Sequence, residues 1–201
     1  MAFDFDNPPA DPVASLQAWM DAAWTHANVP NPNAMTLCTV NIDGAPSARI
    51  VLLKHLDAHG AVFFTNRMSR KGLDLARDPR AALVLHWDHM GRQVRIEGSV
   101  KETTDEESDA YFASRHPESR LGAWASDQSQ PCVDRAELTQ RLEAARMDHA
   151  DADNPGRPRH WGGYRVSLQA VEFWQEGEHR LHDRVRYERS GDIWASQRLF
   201  P

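Results

Sequence analysis

Apolar residues recur at helical spacing near the start of the chain. Val13, Leu16, Met20 and Trp24 fall three or four apart and predict an amphipathic helix over 13–24, stopped by Pro30 and Pro32. Beyond it the pattern becomes that of strands. Met35–Ile42 is rich in β-formers, Asp43-Gly44 is a hairpin signal, and Ser47–His55 returns as a second strand. Its centre, Ile50-Val-Leu-Leu53, is continuously apolar, which predicts burial on both faces. Further strands are expected at 61–65, 81–87 and 93–101, the last with Val94, Ile96 and Val100 on one face and Gln93, Arg95 and Glu97 on the other. A short helix opens at Ser69, read as its N-cap, and ends before Pro79. Helices are predicted over 104–114 and 134–149, and a polar loop over 151–158. Strands then resume at 164–175, 180–189 and 192–198, the last two joined at Ser190-Gly191. Residues 1–12, rich in Asp and Pro, read as a loose arm, and 13–201 as a single domain. Strands seldom alternate one-to-one with helices, so the pattern favours a mainly β, antiparallel barrel with flanking helices.

Composition narrows the function classes. The 201 residues are 41% hydrophobic and 26% charged, a globular profile for one domain. No apolar run approaches the roughly 20 residues of a membrane helix. The acidic start, Met1–Asp6, lacks the basic-then-apolar pattern of a secretory signal, so a cytoplasmic location is expected. A net charge of −6 disfavours nucleic acid as a partner. Cys38 and Cys132 stand far apart and read as reduced thiols. No zinc spacing, dinucleotide glycine fingerprint or P-loop occurs, and no metal is expected.

The cations of this acidic chain are grouped. Arg49 and Lys54 bracket the apolar strand. Ser69-Arg70-Lys71 combines a hydroxyl, two cations and the N–H groups of a helix start, a phosphate cradle. In an expected strand, Arg180, His182 and Arg184 share one face and would repel each other unless an anion lay between them. The competing reading is a salt-bridged edge strand using Glu178 and Asp183. Tyr111 and Arg115, one helical turn apart, form with nearby serines a set able to hold a phosphate. Gln93, Gln128 and Ser129 are polar groups suited to a heterocycle edge, and Trp161 and Trp174 read as core or dimer contacts.

Taken in order, these motifs resemble the pyridoxamine 5′-phosphate oxidase family. They are Arg49-Ile-Val-Leu-Leu-Lys54, Phe63-Phe-Thr-Asn66, Ser69-Arg-Lys71, Arg92-Gln-Val94, Tyr111-Phe112 with Ser114-Arg115, Leu121-Gly-Ala-Trp124, Gln128-Ser129, Trp161-Gly-Gly163, Glu172-Phe-Trp-Gln175, His179-Arg-Leu-His-Asp-Arg184 and Arg198-Leu-Phe-Pro201. The resemblance runs from about Asp11 to Pro201. It implies an FMN-binding split β-barrel of Greek-key type, working as a homodimer with flavin sites between subunits. The implied FMN contacts are Arg49, Ile50, Val51, Leu52, Leu53, Lys54, Phe64, Thr65, Arg70, Lys71, Gln93, Gln128, Ser129, Trp174 and Arg184. The implied substrate contacts are Lys54, Tyr111, Arg115, Ser119, Arg180, Leu181 and His182, with Arg180 and His182 at the reacting ring. The implied reaction oxidises pyridoxamine or pyridoxine 5′-phosphate to pyridoxal 5′-phosphate, with hydride passing to the flavin and dioxygen yielding hydrogen peroxide. The chain departs from the family pattern in a short, non-basic N-terminal arm, in Asn31 where some relatives have Asp, and in Phe64 where Tyr is common. Two alternatives share the fold: a flavin oxidase of phenazine biosynthesis, and a non-catalytic binder of flavin or pyridoxal phosphate.

Overall fold

The computed structural model describes residues 3–149 and 155–201; Met1 and Ala2 of the expected arm, and 151–154 of the expected polar loop, lie outside the described residues. The chain opens with α1 (Val13–Thr25), which buries Leu16, Trp19, Met20 and Ala23 and leaves Trp24 turned outward. Strands β1 (Ala34–Val40), β2 (Pro46–Leu52), β3 (His55–Asp57) and β4 (Gly60–Asn66) follow, then α2 (Arg70–Arg77), β5 (Arg80–Trp87) and β6 (Arg92–Glu102). Three helices come next, α3 (Asp105–Ala113), α4 (Pro117–Ala125) and α5 (Arg135–Asp148). The chain closes with β7 (Trp161–Val166), β8 (Ala170–Gln175), β9 (Asp183–Ser190) and β10 (Ile193–Arg198).

Every strand pairing among the described residues is antiparallel. The main sheet runs β10-β9-β8-β6-β5-β1-β2, while the far end of β6 pairs with β7, which continues through β4 to β3. The sheet therefore splits along β6. Gly98 sits at the split: a Cβ there would lie 1.8 Å from the Ser167 carbonyl oxygen, so only glycine lets the two halves approach. The core between them is built on Leu37, Leu83, Leu85, Val94, Ile96, Phe173, Val185 and Tyr187, all fully buried. No helix among the described residues is long and apolar enough to cross a membrane.

Several expectations are corrected. The strand expected over 164–175 is two, because β7 pairs with β4 and the end of β6 while β8 pairs with its beginning. Helix α4 is not signalled by the apolar pattern; Pro117 opens it, and the His116 ring accepts from the Glu118 N–H at 3.3 Å. The apolar centre of β2 is not buried on both faces, since β2 is a sheet edge and Ile50 remains 64% exposed. Ser69 occupies the N-cap position of α2, but its hydroxyl donates to the Asn66 carbonyl instead of capping the helix. The arm is not loose over its described part. Phe3 stacks on Phe173 at 4.7 Å, Phe5 packs beside Phe3 and Trp19, and the Tyr187 hydroxyl donates to the Pro9 carbonyl. Two aromatic rings that can cover the end of the core overcome the polar composition of the segment.

Candidate active site

A cleft of about 640 Å³ opens beside the β2 edge. The strand supplies Ile50, Val51 and Leu52, then ends where the Leu53 N–H donates to the Asn33 carbonyl and the Lys54 N–H to that of Val62. Leu53 itself is buried in the core, while Lys54 reaches the cleft. Strand β4 contributes Phe64 and Thr65, the first turn of α2 contributes Lys71, and the end of α3 contributes Tyr111. Arg115, from the α3–α4 junction, Ser119 of α4 and Gln128 complete the sequence-predicted residues there. Asn66, His116, Ser126 and Trp161 also line the cleft, although no sequence signal singled them out as ligand contacts. The lining contains Lys54, Lys71 and Arg115 and no Asp or Glu.

Lys71 is 8% exposed, and its ammonium donates to Thr65 Oγ1 (3.1 Å), Ser69 Oγ (3.2 Å) and Gln128 Oε1 (3.3 Å). All three partners are neutral, so burial, reinforced by Arg49, pulls the ammonium below the ordinary lysine value. Arg49 is not among the residues lining the cleft. Its guanidinium donates to Thr39 Oγ1 (2.7 Å) and Ser47 Oγ (2.6 Å) and lies 3.6 Å from the buried Asp74 carboxylate. Arg70 is exposed at the start of α2 and lies outside the cleft lining, as does Ser129 at φ 75°.

The cations lie against a wall of aromatic rings. Phe64 stacks on Tyr111 at 4.2 Å and on Trp161 at 5.4 Å. The Lys54 ammonium stands 5.6 Å over the Tyr111 ring, and the Arg115 guanidinium 4.8 Å over Trp161. Arg115 lies just beyond the last residue of α3, yet it still meets Tyr111: both line the cleft and the two interact electrostatically. Its Nη1 is buried with no hydrogen-bond partner, and desolvation lowers its pKa against the opposing influence of Tyr111. Gly163, opposite Phe64 in the β4–β7 register, makes this stack fit: a Cβ would meet Phe64 Cε1 at 2.6 Å and Thr103 Oγ1 at 2.5 Å. Gly163→Ala is expected to displace Phe64 and weaken ligand binding in the cleft about tenfold, at about 1–3 kcal/mol of overpacking. A ligand titration paired with a thermal melt checks this, and unchanged affinity would contradict it.

The remaining predicted residues form a second group outside the cleft lining. Gln93 of β6 faces Trp174 of β8, which faces Arg184 of β9, so the three lie in one cross-strand row. The Trp174 and His182 rings are 4.6 Å apart. His182 Nδ1 accepts from the Gly177 N–H at 3.2 Å, which leaves the hydrogen of the neutral ring on Nε2. Arg184 donates through Nε and Nη2 to Glu172 Oε1 (3.0 and 2.8 Å) and through Nη1 to the Phe200 carbonyl. Arg180 and Leu181 are exposed.

The expected strand over 180–189 begins only at Asp183. The β8–β9 register closes Gln175 on Asp183, so residues 176–182 must turn, and His179 and Arg180 take left-handed backbone (φ 54° and 65°). Arg180, His182 and Arg184 therefore share no strand face. The competing salt-bridged edge is also absent: Asp183 pairs with Arg198, and among the described residues Arg180 has no ion pair with Glu178 or Asp183. Cys38 and Cys132 are free, and the described residues contain no cluster of metal-ligating side chains.

The architecture is that of the antiparallel split barrels, and its cleft combines cations with stacked aromatic rings. The family model described as pyridoxamine 5′-phosphate oxidase matches residues 24–148, and that described as the pyridoxine 5′-phosphate oxidase C-terminal dimerisation region matches residues 161–201. The chain belongs to the pyridoxamine 5′-phosphate oxidase family. Among its relatives, a pyridoxine/pyridoxamine 5′-phosphate oxidase of Cupriavidus pinatubonensis is 55% identical over 192 residues, covering 95% of this chain and 89% of the relative. One of the same name from Thermosynechococcus vestitus is 52% identical with the same coverage. Among solved structures, PhzG from Burkholderia lata, in complex with tetrahydrophenazine-1-carboxylic acid, is 32% identical with a TM-score of 0.92, covering 100% of this chain and 98% of that one.

Proposed function

We propose that this protein is an FMN-dependent oxidase that converts pyridoxamine or pyridoxine 5′-phosphate to pyridoxal 5′-phosphate, using dioxygen and releasing hydrogen peroxide. The observation that carries the reading is the cleft lining, whose charged members are all cationic in a chain of net charge −6. The donors fit two phosphate-bearing ligands: a buried ammonium with only neutral partners on α2, and a guanidinium with an unpaired buried nitrogen at the α3–α4 junction. Bound FMN supplies two-electron acceptance and its own reoxidation by dioxygen.

The chain's residues bind and orient. Lys71, supported by Arg49 and Arg70, holds the flavin phosphate, and Ile50–Leu52 bears against the flavin ring. Lys54, Tyr111, Arg115 and Ser119 hold the substrate phosphate. Arg180 and the Nε2–H of His182 orient the pyridine ring and favour its ionised phenol oxygen. These two, with Gln93, Trp174 and Arg184, do not line the cleft of their own chain. A homodimer in which the β8–β9 turn completes the partner's cleft accounts for both groups, and the dimerisation region matched over 161–201 spans that turn.

The reading is tested by mixing the FMN-loaded protein anaerobically with pyridoxine 5′-phosphate. Bleaching of the flavin, with pyridoxal 5′-phosphate formed once air returns, is the expected result; no bleaching by either B6 phosphate would overturn it. Arg180→Ala is expected to retain the flavin spectrum and lose about 10²-fold in kcat/KM, the scale of lost substrate orientation. The fold shared with PhzG supports one second reading, oxidation of a different ring. Bleaching by a reduced phenazine precursor, and not by B6 phosphates, would favour it.

A further inference from the structure

Arg115 differs from Arg49 and Arg184, the other half-buried arginines of the two groups. Arg49 lies beside Asp74 and Arg184 is paired with Glu172. Arg115 has no carboxylate partner among the described residues; its neighbours are the ring faces of Trp161 at 4.8 Å and Phe112 at 5.4 Å. Trp161 is 6% exposed and fixed on every side. Its ring stacks on Phe64. Its N–H donates to the Pro158 carbonyl, and its own carbonyl accepts from Arg157 Nη1 at 2.6 Å. Arg157 in turn bridges Asp105 (2.7 Å) and Asp109 (2.6 Å), both on α3, the helix that leads into Arg115. Tryptophan and arginine are thus tied to one rigid unit.

We propose that Trp161 is a positioning residue that makes the site selective for phosphate monoesters by holding Arg115 with a ring face in place of a carboxylate. A carboxylate would align the guanidinium but offset its charge and occupy two of its donors. A ring face aligns it electrostatically and leaves both charge and N–H groups to the ligand. Nη1 is accordingly left without any protein acceptor. The inference rests on the proposed function in taking Arg115 to meet the substrate phosphate.

The test uses flavin-loaded protein titrated with pyridoxal 5′-phosphate and with pyridoxal, together with steady-state kinetics on pyridoxamine 5′-phosphate. Trp161→Leu is expected to weaken the phosphorylated ligand about tenfold and raise KM alike, with kcat within about twofold and pyridoxal binding unchanged. Trp161→Phe, which keeps a ring, is expected to restore most of the loss. In an Arg115→Ala background either substitution should add almost nothing. Equal weakening of both ligands, or an undiminished Trp161→Leu effect without Arg115, would overturn the assignment. Should Trp161→Leu lose its flavin or its circular dichroism, the Trp161→Phe cycle with Arg115→Ala decides in its place. Wild-type protein that does not distinguish pyridoxal 5′-phosphate from pyridoxal would overturn the proposed function as well, whereas discrimination that survives Trp161→Leu would overturn this inference alone.

Discussion

Lys71→Met is expected to move cofactor affinity and apoprotein stability in opposite directions. The ammonium is almost wholly buried and surrounded by neutral oxygens, so the apoprotein bears an uncompensated desolvation cost. Methionine fills nearly the same volume without charge. The oxygens left behind keep partners, since Thr65 still donates to Gln128 and Ser69 to Asn66. The apoprotein is therefore expected to gain about 1 kcal/mol, or about 2–4 °C in Tm for a chain of this size. Affinity for FMN should fall about 30–100-fold, the equivalent of a charge-assisted hydrogen bond worth about 2–3 kcal/mol. The pH dependence carries the same sign. A base whose pKa is lowered by folding binds fewer protons folded than unfolded, so Lys71 makes the apoprotein more stable as pH rises from its lowered value to the ordinary lysine value. That slope should vanish in Lys71→Met. Melts of the apoprotein across pH and a flavin fluorescence titration measure both; a parallel fall in stability and affinity would contradict the account.

The largest stability loss is expected at Glu172. Its carboxylate is 3% exposed and lies between Arg184 at 2.8 Å and Arg95 at 3.5 Å. Glu172→Ala removes the central anion and leaves two arginines facing a void. Breaking a fully buried pair costs about 3–5 kcal/mol. Arg184 and Arg95 retain part of their hydration, with side-chain exposures of 25% and 41%, so about 2–3 kcal/mol is expected. That is a fall in Tm of about 4–12 °C. Glu172→Gln, which still accepts from Arg184, should lose clearly less. Calorimetry of the three proteins checks the order, and an alanine variant within about 0.5 kcal/mol of wild type would refute it.

Elements that depend on local patterning were legible in the sequence. The Asp43-Gly44 hairpin, with Gly44 at φ 79°, and the alternating β6 are fixed by turn chemistry and by parity of side chains. The cleft was legible only through ordered motifs, because Lys54, Lys71 and Arg115 meet across elements that no periodicity links. What was missed depends on long-range pairing. The turn before β9 follows from the β8–β9 register, which also places two non-glycine residues in left-handed backbone. The exposure of Ile50 follows from the edge position of β2, which a lone apolar run does not reveal. Trp161 reads as core by composition, and only the structure sets its ring beside a guanidinium.

Strand β6 is paired along its first part with β5 and β8 and at its end with β7. One strand is therefore common property of both halves, and neither half can melt without releasing edges of the other. Global unfolding is therefore expected as one cooperative transition, not as two lobes in series. A ligand held in the cleft consequently protects residues it never touches. By mass action, its binding energy lowers the globally unfolded population, and with it that of the remote β10 hairpin as much as that of the β2 edge beside it.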